Sequence, residues 1–357
     1  MLNESTNATQ DQTLYQKGNI NTVEIWYKIM LIALILFSVP LNSYVFIRIV
    51  FFKTRGKRKR PRDFIIASMA SSDIFQAVLG YGLQYVAIAA VATSIPYCNV
   101  AIFLVTFLAL ASMNHIVALA IDGYLHICQP WFAAKSASGN RKVQVIFLGS
   151  AWLYAAAWTI PILFWRDFLD AKPHRCMMQW RTAVPSRMIY LCGLFIFCLI
   201  IPVVTTIGCL VLRQRALNSM RNFAIDRFGS RSHIVSQNVA AERRHLKISL
   251  CIFLSFITVW TPYATIALLE MFKYKQISGN TIKLKQLSGL FAKSAVILNP
   301  VIYKFMGKKN RQNSSHRLLS AIYLKDWPVV LQQFRPKKDH LSAIEEEKGR
   351  SKEESTV

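Results

Sequence analysis

The sequence predicts an all-α membrane protein that folds as a seven-transmembrane helix bundle. Of its 357 residues, 53% are hydrophobic, and they gather in long runs separated by polar segments. About 20 mainly apolar residues, wound as an α-helix, cross the roughly 30 Å hydrocarbon core of a bilayer. Proline and glycine within these runs are tolerated in lipid, where neighbouring helices satisfy the freed backbone groups. Seven runs qualify, at about 24–52, 64–92, 99–128, 143–165, 187–212, 246–271 and 285–306.

Basic residues alternate from one connecting segment to the next. The formal charge is +25, and it is concentrated in Lys53–Arg62, in Arg213–Lys247 and in the tail after Tyr303. Because cytoplasmic loops carry an excess of Lys and Arg, we expect a multi-pass plasma-membrane protein with an extracellular N-terminus. The long apolar runs exclude a soluble nucleic-acid-binding protein. The charge suits anionic lipid or a cytoplasmic partner instead.

Residues 1–23 are predicted to form an extracellular N-terminal tail. They are polar and lack the apolar segment of a cleavable signal peptide, so the first span itself directs insertion. Asn3 and Asn7 each begin an N-glycosylation sequon on the predicted outer face. This placement agrees with the orientation that the charges predict.

The cysteines fall into two groups. Five lie within or at the ends of the predicted spans, where packing is their simplest role. Cys98 and Cys176 are the two that the topology places outside, where an oxidising environment favours a disulfide bond between them. The other five are Cys128, Cys192, Cys198, Cys209 and Cys251.

The last span contains a lysine within a mostly apolar segment, Leu290–Tyr303. Lys285 and Lys304 mark the polar ends of this span, roughly 12 and 16 Å from Lys293. Lys293 therefore falls near the bilayer midplane, where a charged lysine costs at least about 2.5–3.5 kcal/mol. Either it snorkels or pairs with a buried carboxylate, or it loses its proton and forms a Schiff base with a carbonyl ligand.

Most spans also carry a distinctive residue or short motif. These are Asn42, Asp73, Trp152, Pro202, Trp260-x-Pro262 and Asn299-Pro300-x-x-Tyr303. In this order they resemble the rhodopsin-like G-protein-coupled receptors over about residues 24–320, and Cys98 and Cys176 match the outer disulfide of that family. Lys293 lies seven residues before Pro300, as the retinal-bearing lysine of opsins does. The chain therefore resembles opsins within the family.

The resemblance implies a retinal pocket around Lys293, which would carry the chromophore covalently as a Schiff base. Trp260 and Tyr263 match the tryptophan and tyrosine that line this pocket in opsins. The alternative is that they belong to an ordinary aromatic core. Further residues expected to face the same cavity are Thr106, Ala109, Phe195, Cys198, Gly289 and Ala292.

A protonated Schiff base in an apolar site needs a nearby anion. Many vertebrate visual opsins place a glutamate three residues after the cysteine of the third span, where this chain has Ala101. Other opsins use a carboxylate six residues before the second cysteine, and Asp170 occupies that position. We therefore expect Asp170 to be the counterion, with Asp167 as second choice. The alternative is a solvated loop acid beside Lys172 and Arg175.

The resemblance also implies a cytoplasmic site for a heterotrimeric G protein and arrestin. The family's Asp-Arg-Tyr motif is Asp122-Gly123-Tyr124 here, so the arginine that would pair with Glu242 of the sixth span is absent. Weakened or altered coupling is the expected consequence. The basic residues expected to pair with Asp122 and Glu242 instead are Arg243, Arg244 and Lys247. In the family, Asp73 belongs to a relay network with Asn42 and Asn299.

Residues 24–306 form the predicted transmembrane retinal-binding domain, and two cytoplasmic segments follow it. Residues 307–323 are predicted to form a short amphipathic helix on the inner leaflet, and residues 324–357 a cytoplasmic tail. The terminus Ser355-Thr356-Val357 suits the groove of a PDZ protein, although so short a pattern arises often by chance.

Together these features predict a light-sensing G-protein-coupled receptor without enzymatic activity. One alternative is a retinal photoisomerase of the same fold, which the loss of arginine at Gly123 favours. Another is a receptor for a diffusible ligand, in which Lys293 is a polar pocket residue. A transporter is disfavoured, because the sequence shows no internal repeat.

Overall fold

The computed structural model describes residues 2–52, 61–89, 94–129, 132, 141–165, 168–172, 175–228, 233–272 and 279–306. The seven predicted spans are helical. The first four comprise Leu2–Ile47 with the π-helical turn Arg48–Phe52; Pro61–Phe75, the π-helical turn Gln76–Tyr81 and Gly82–Ala89; Ser94–Cys128; and Arg141–Phe164. The last three comprise Pro185–Phe195, the π-helical turn Ile196–Ile200 and Ile201–Phe228; His233–Met271; and Gly279–Lys293 with Ala295–Met306.

Six of the spans are single stretches long and apolar enough to cross a membrane by length and composition. The seventh is divided at Ser294 into helices of 15 and 12 residues. The Ser294 hydroxyl donates to the carbonyl oxygen of Phe291 at 2.6 Å, a local bond that competes with regular helix geometry.

A proline in the seventh span also ties it to the first. Pro300 has no N–H group, so it leaves the carbonyl oxygen of Val296, four residues earlier, without its usual donor. The side-chain amide of Asn42, in the first span, donates to that oxygen at 2.9 Å. Asn42 is 1% exposed, so this bond satisfies a buried backbone group that water does not reach.

Three helices extend further than their apolar runs predict. The first begins at Leu2, so residues 2–23, expected as a tail, continue it without an intervening proline. The fifth span continues to Phe228 and the sixth begins at His233, where the sequence predicted a loop. Residues 213–228 and 233–245 contain neither Gly nor Pro, so nothing in the backbone ends these helices.

A two-stranded antiparallel hairpin covers one end of the bundle, here called the hairpin end. Strand β1 is Leu169–Lys172 and strand β2 is Arg175–Met178. Cys176 forms the predicted disulfide bond with Cys98, at the start of the third span, with the two Cα atoms 5.5 Å apart. The side-chain amide of Gln84, in the second span, donates to the carbonyl oxygen of Cys176 at 2.8 Å. The hairpin is thereby fixed to two spans.

The third span lies centrally and contacts the second, fourth, fifth and sixth. One apolar cluster fills the half of the bundle nearer the hairpin end, here called the hairpin half, and two others fill the opposite half. Large apolar side chains such as Leu36, Leu153 and Ile189 remain exposed on the outer faces of the helices. Apolar surface of this extent on the outside of a helix bundle agrees with a multi-pass membrane protein.

Candidate functional site

An apolar cavity lies inside the hairpin half of the bundle, between the third, fifth and sixth spans. Trp180, just after β2, is 6% exposed and closes the cavity on the hairpin side. The π-helical turn Ile196–Ile200, directly before Pro202, carries Cys198 in the cavity wall. The lining residues are Ala109, Leu110, Met113, Trp180, Leu194, Phe195, Cys198, Leu199, Phe256, Trp260, Tyr263, Ala264 and Ala267.

Trp260 and Tyr263 form one aromatic wall of this cavity. Their ring centroids are 6.1 Å apart in an edge-to-face arrangement, and Trp260 stacks on Phe256 at 5.5 Å. Trp180 Nε1 donates to the hydroxyl of Tyr263 at 3.1 Å. In the described part of the chain the buried Trp260 Nε1 has no hydrogen-bond partner. The surface that the wall presents to the cavity is almost entirely apolar.

Lys293 lies beside this wall, at the C-terminal end of the first half of the seventh span. Its Nζ is 6.0 Å from the ring centroid of Tyr81, whose hydroxyl donates to the lysine carbonyl oxygen at 3.1 Å. A Cβ built on Gly289 would lie 3.9 Å from Nζ and 3.8 Å from the ring of Tyr263. Gly289 thus leaves open the space between the amine and the cavity wall, although Lys293 itself is not among the lining residues.

The two lysines on the inner face of the seventh span differ in their partners. Lys285 is 6% exposed and pairs with Glu270 of the sixth span at 2.6 Å. Lys293 has no ion pair with any residue that the structure describes. Glu270 Oε1 also accepts the backbone N–H of Trp180 at 3.3 Å, so it is a buried interior residue.

The carboxylate of Asp170, in β1, pairs with Arg175 of β2 at 2.9 Å. Both side chains are largely buried, at 19% and 16% exposure, so Asp170 is not a freely solvated loop acid. Arg175 provides a fixed positive charge beside it. Asp167 lies outside the described residues.

Deeper in the bundle, Asn299 Nδ2 donates to the carboxylate of Asp73 at 3.1 Å. Both residues are buried, Asp73 at 1% and Asn299 at 3% exposure. This contact links the second span to the seventh, and the Asn42 bond to Val296 links the first span to the seventh. The three polar residues that the sequence grouped in one network therefore all contact the seventh span or belong to it.

The opposite end of the bundle holds a buried cluster of charges. Glu242 pairs with Arg213 at 2.9 Å and with Arg62 at 3.2 Å, and Arg62 Nε is 3.9 Å from Asp122. The prediction that Arg243, Arg244 or Lys247 would serve these acids is wrong. Arg243 instead donates to Asn218 at 2.8 Å. The partners come from the second and fifth spans, which local sequence distance does not indicate.

A sequence model described as "7 transmembrane receptor (rhodopsin family)" matches residues 26–303. The chain belongs to the rhodopsin family of seven-transmembrane receptors. It is 27% identical over 282 residues to a melanopsin of Felis catus, covering 75% of this chain and 56% of that one. It is 25% identical over 320 residues to a parapinopsin of Ictalurus punctatus, covering 85% and 86% of the two chains. The chain spans about half the length of the melanopsins it matches.

The crystal structure of squid rhodopsin has the same fold. Its TM-score is 0.69, with 21% sequence identity and coverage of 89% of both chains. With these relatives, the chain is an opsin-like member of the rhodopsin family. The seven-helix bundle predicted from the apolar runs is confirmed.

Several cavity residues of this opsin-like receptor were predicted and others were missed. Ala109, Phe195 and Cys198 line the cavity as expected, whereas Thr106, Gly289 and Ala292 are not in its wall. The most important residue that the sequence analysis missed is Trp180, four residues after Cys176. Its large aromatic side chain, so close to a disulfide-bonded cysteine, could have indicated it. The predicted amphipathic helix at 307–323 and the terminal Ser355-Thr356-Val357 lie outside the described residues, as do the side chains of Asn3 and Asn7.

Proposed function

We propose that the chain is a light-sensing receptor that binds retinal as a Schiff base on Lys293. The observation that carries this proposal is the Lys293 amine. It lies beside an apolar, aromatic-walled cavity and has no ion-pair partner among the described residues. Bound retinal would supply the absorption of light and the change of shape. The protein's own residues would hold it and respond to it.

The environment of Lys293 suits a nucleophilic amine better than that of Lys285. Lys285 forms an ion pair with the carboxylate of Glu270, 2.6 Å away. Lys293 is surrounded by Tyr81, Gly289 and Tyr263, and nothing described there stabilises an ammonium ion by direct pairing. An uncharged amine is the form that attacks a carbonyl carbon.

The cavity wall provides the shape that an elongated apolar ligand requires. Trp260 and Tyr263 would pack against the ligand's chain, and Trp180 would exclude water from the hairpin side. Since Tyr263 is held by Trp180 Nε1, displacement of the wall would disturb the Trp180 contact with Glu270 as well. We propose that this connection transmits a change of ligand shape to the sixth span.

We further propose that Asp170 is the counterion of the Schiff base. Asp170 lies six residues before Cys176, and its carboxylate is fixed in the hairpin by the 2.9 Å ion pair with Arg175. Among the described residues of the hairpin half, Glu270 is a second acid paired with a cation, Lys285, so pairing does not distinguish the two; Asp170 is preferred because its place before Cys176 resembles that of the counterion in other opsins. The hairpin end would then face the extracellular side, with glycans on Asn3 and Asn7 and with the Cys98–Cys176 disulfide in the oxidising compartment.

On the cytoplasmic side we propose coupling to a heterotrimeric G protein and arrestin, and binding of a PDZ protein to Ser355–Val357. The conformational relay would run through Asn299, Pro300 and Tyr303 toward the Asp122-Gly123-Tyr124 motif. Tyr303 lines the small cavity at this end together with Asp122 and Gly123. A second candidate function is retinal photoisomerisation with little or no coupling. Gly123 favours it, because no guanidinium extends from that position.

The attachment site is tested by reducing the retinal-loaded protein with borohydride and locating the retinyl group by mass spectrometry. We expect the modification on Lys293, its loss in Lys293→Ala, and its persistence in Lys285→Ala. A modification on another lysine, or equal labelling in Lys293→Ala, contradicts the proposal.

Signalling is tested separately, by nucleotide exchange on purified G proteins in darkness and after illumination. Light-dependent exchange would exclude the pure photoisomerase. A visible chromophore without exchange on any G-protein class, together with release of the isomerised product, would replace the signalling proposal with the photoisomerase.

A further inference from the structure

Gly123, at the end of the third span, lies against a side chain from the fifth span. A Cβ built on Gly123 would be 2.4 Å from Nη1 and 2.8 Å from Cζ of Arg213. Real Cβ atoms do not approach other heavy atoms this closely, so any larger residue at this position requires Arg213 to move. The space that a side chain would fill at position 123 is occupied by the Arg213 guanidinium.

Arg213 is held there by specific bonds. It is 1% exposed, and Nη2 donates to both the carboxylate and the backbone carbonyl of Glu242, at 2.9 and 3.2 Å. Arg62, 4% exposed, grips the same carboxylate with two nitrogens at 3.2 Å each. A carboxylate that accepts bonds from two guanidinium groups is held more firmly than one in a single ion pair.

The cluster joins four spans through buried charges. Arg62 belongs to the second, Asp122 to the third, Arg213 to the fifth and Glu242 to the sixth. Arg62 and Asp122 are 4% and 2% exposed, and the buried carboxylate of Asp63 lies close enough to act on both. Removing one member would leave its partner charged and buried, so the cluster resists separation of the sixth span from the other three.

We propose that Arg213 supplies, from the fifth span, the guanidinium that Gly123 does not provide, and that with Arg62 it positions the end of the sixth span. Gly123 is the residue that admits Arg213 to this place. The positive charge that the third span lacks at position 123 is therefore provided at the same place by the fifth span. The positioning role is a property of the ligand-free protein, and only its consequence for signalling rests on the proposed function.

The positioning role is tested on the full chain in lipid nanodiscs, without retinal or G protein. Genetically encoded spin-labelled residues at the exposed positions Val145, on the fourth span, and Ala241, on the sixth, report the separation of these spans at the relevant end. We expect a narrow distance distribution in the otherwise unchanged protein and a second, longer component in Arg213→Ala. Arg243→Gln, which removes a bond to Asn218 at the same interface, is the control and should leave the distribution narrow.

A relocation variant distinguishes positioning from simple destabilisation. In Gly123→Arg combined with Arg213→Ala, the guanidinium returns to the third span, so we expect the narrow distribution to be restored. Gly123→Arg alone places two guanidinium groups in one space and should broaden it. A distribution that is unchanged in Arg213→Ala, or one equally broad in Arg213→Ala and the relocation variant, overturns the proposal.

Nucleotide exchange on the same variants distinguishes a failure of the positioning role of Arg213 from a failure of the proposed light-dependent signalling. We expect Arg213→Ala to raise exchange in darkness several-fold and to reduce the ratio of light to dark exchange, with the relocation variant near the original ratio. If distances change as expected but no variant responds to light, the positioning role stands and the signalling proposal fails. If the unchanged protein responds to light but Arg213→Ala alters neither distance nor dark exchange, the positioning role fails alone.

Discussion

The substitution Gly123→Ala is expected to destabilise this protein, although the same change usually stabilises a helix. In an ordinary helix interior, alanine is favoured over glycine by about 1 kcal/mol. Here the new Cβ would be 2.4 Å from Arg213 Nη1, whereas non-bonded heavy atoms rest at roughly 3.5–4.0 Å. The guanidinium must therefore retreat by about 1 Å, which is enough to break its 2.9 Å bond to Glu242.

The size of the effect is the cost of breaking the ion pair between Arg213 and Glu242, less the gain in helix propensity from glycine to alanine. Breaking a buried ion pair on one side costs about 3–5 kcal/mol. After subtraction of the helix gain, we expect Gly123→Ala to lower the free energy of unfolding by about 2–4 kcal/mol, and the unfolding temperature by roughly 3–5 °C. When Arg213 is first replaced by alanine, the obstruction is gone, and Gly123→Ala should stabilise by about 1 kcal/mol.

Thermal unfolding in detergent compares the unchanged protein, Gly123→Ala, Arg213→Ala and the double variant. The comparison shows whether the effect of Gly123→Ala on the free energy of unfolding changes sign when Arg213 is absent. Gly208→Ala is the matched control: Gly208 is a helical glycine of the fifth span whose added Cβ would meet nothing within 4 Å. It should stabilise by about 1 kcal/mol in both backgrounds. The reasoning is refuted if Gly123→Ala stabilises as much as Gly208→Ala in the presence of Arg213.

Two further substitutions test the hairpin half and the seventh span. Asp170→Asn should move the main absorption band of the retinal-loaded protein from the visible to the near ultraviolet at neutral pH, because the Schiff base loses its anion; Glu270→Gln should retain a visible band, and the reverse pattern would assign the counterion to Glu270. Asn42→Ala should lower the free energy of unfolding by about 1–3 kcal/mol, because the Val296 carbonyl oxygen loses its donor; thermal unfolding equal to that of the unchanged protein would show that another group satisfies this oxygen.

The sequence predicted those features that depend on a residue's own span. Apolar runs located all seven spans, and Lys293 was recognised because a lysine at the midplane is costly wherever the neighbouring helices lie. The Cys98–Cys176 bond also followed, since the topology placed only these two cysteines outside. Each of these inferences needs the position of a residue along the membrane normal and nothing about its rotation around the helix axis.

The features that were missed depend on which helix faces meet. Arg62 and Arg213 were assigned to basic loops, because charge alone does not distinguish a solvated arginine from one buried against Glu242. The fifth and sixth helices also continue beyond their apolar runs as polar helices, and apolar content cannot locate their ends. Trp180 was missed because the hairpin, which brings it over the cavity, is set by contacts far apart in the sequence.

The most direct test of the central proposal is an absorption spectrum of the purified protein after addition of cis-retinal in darkness, beside a Lys293→Ala control. The proposal predicts a visible band in the unchanged protein and only the absorbance of free retinal in the control. The absence of any band beyond free retinal in both samples would contradict the proposal and favour a receptor for a diffusible ligand. A visible band of equal strength in Lys293→Ala would show that another group holds the chromophore.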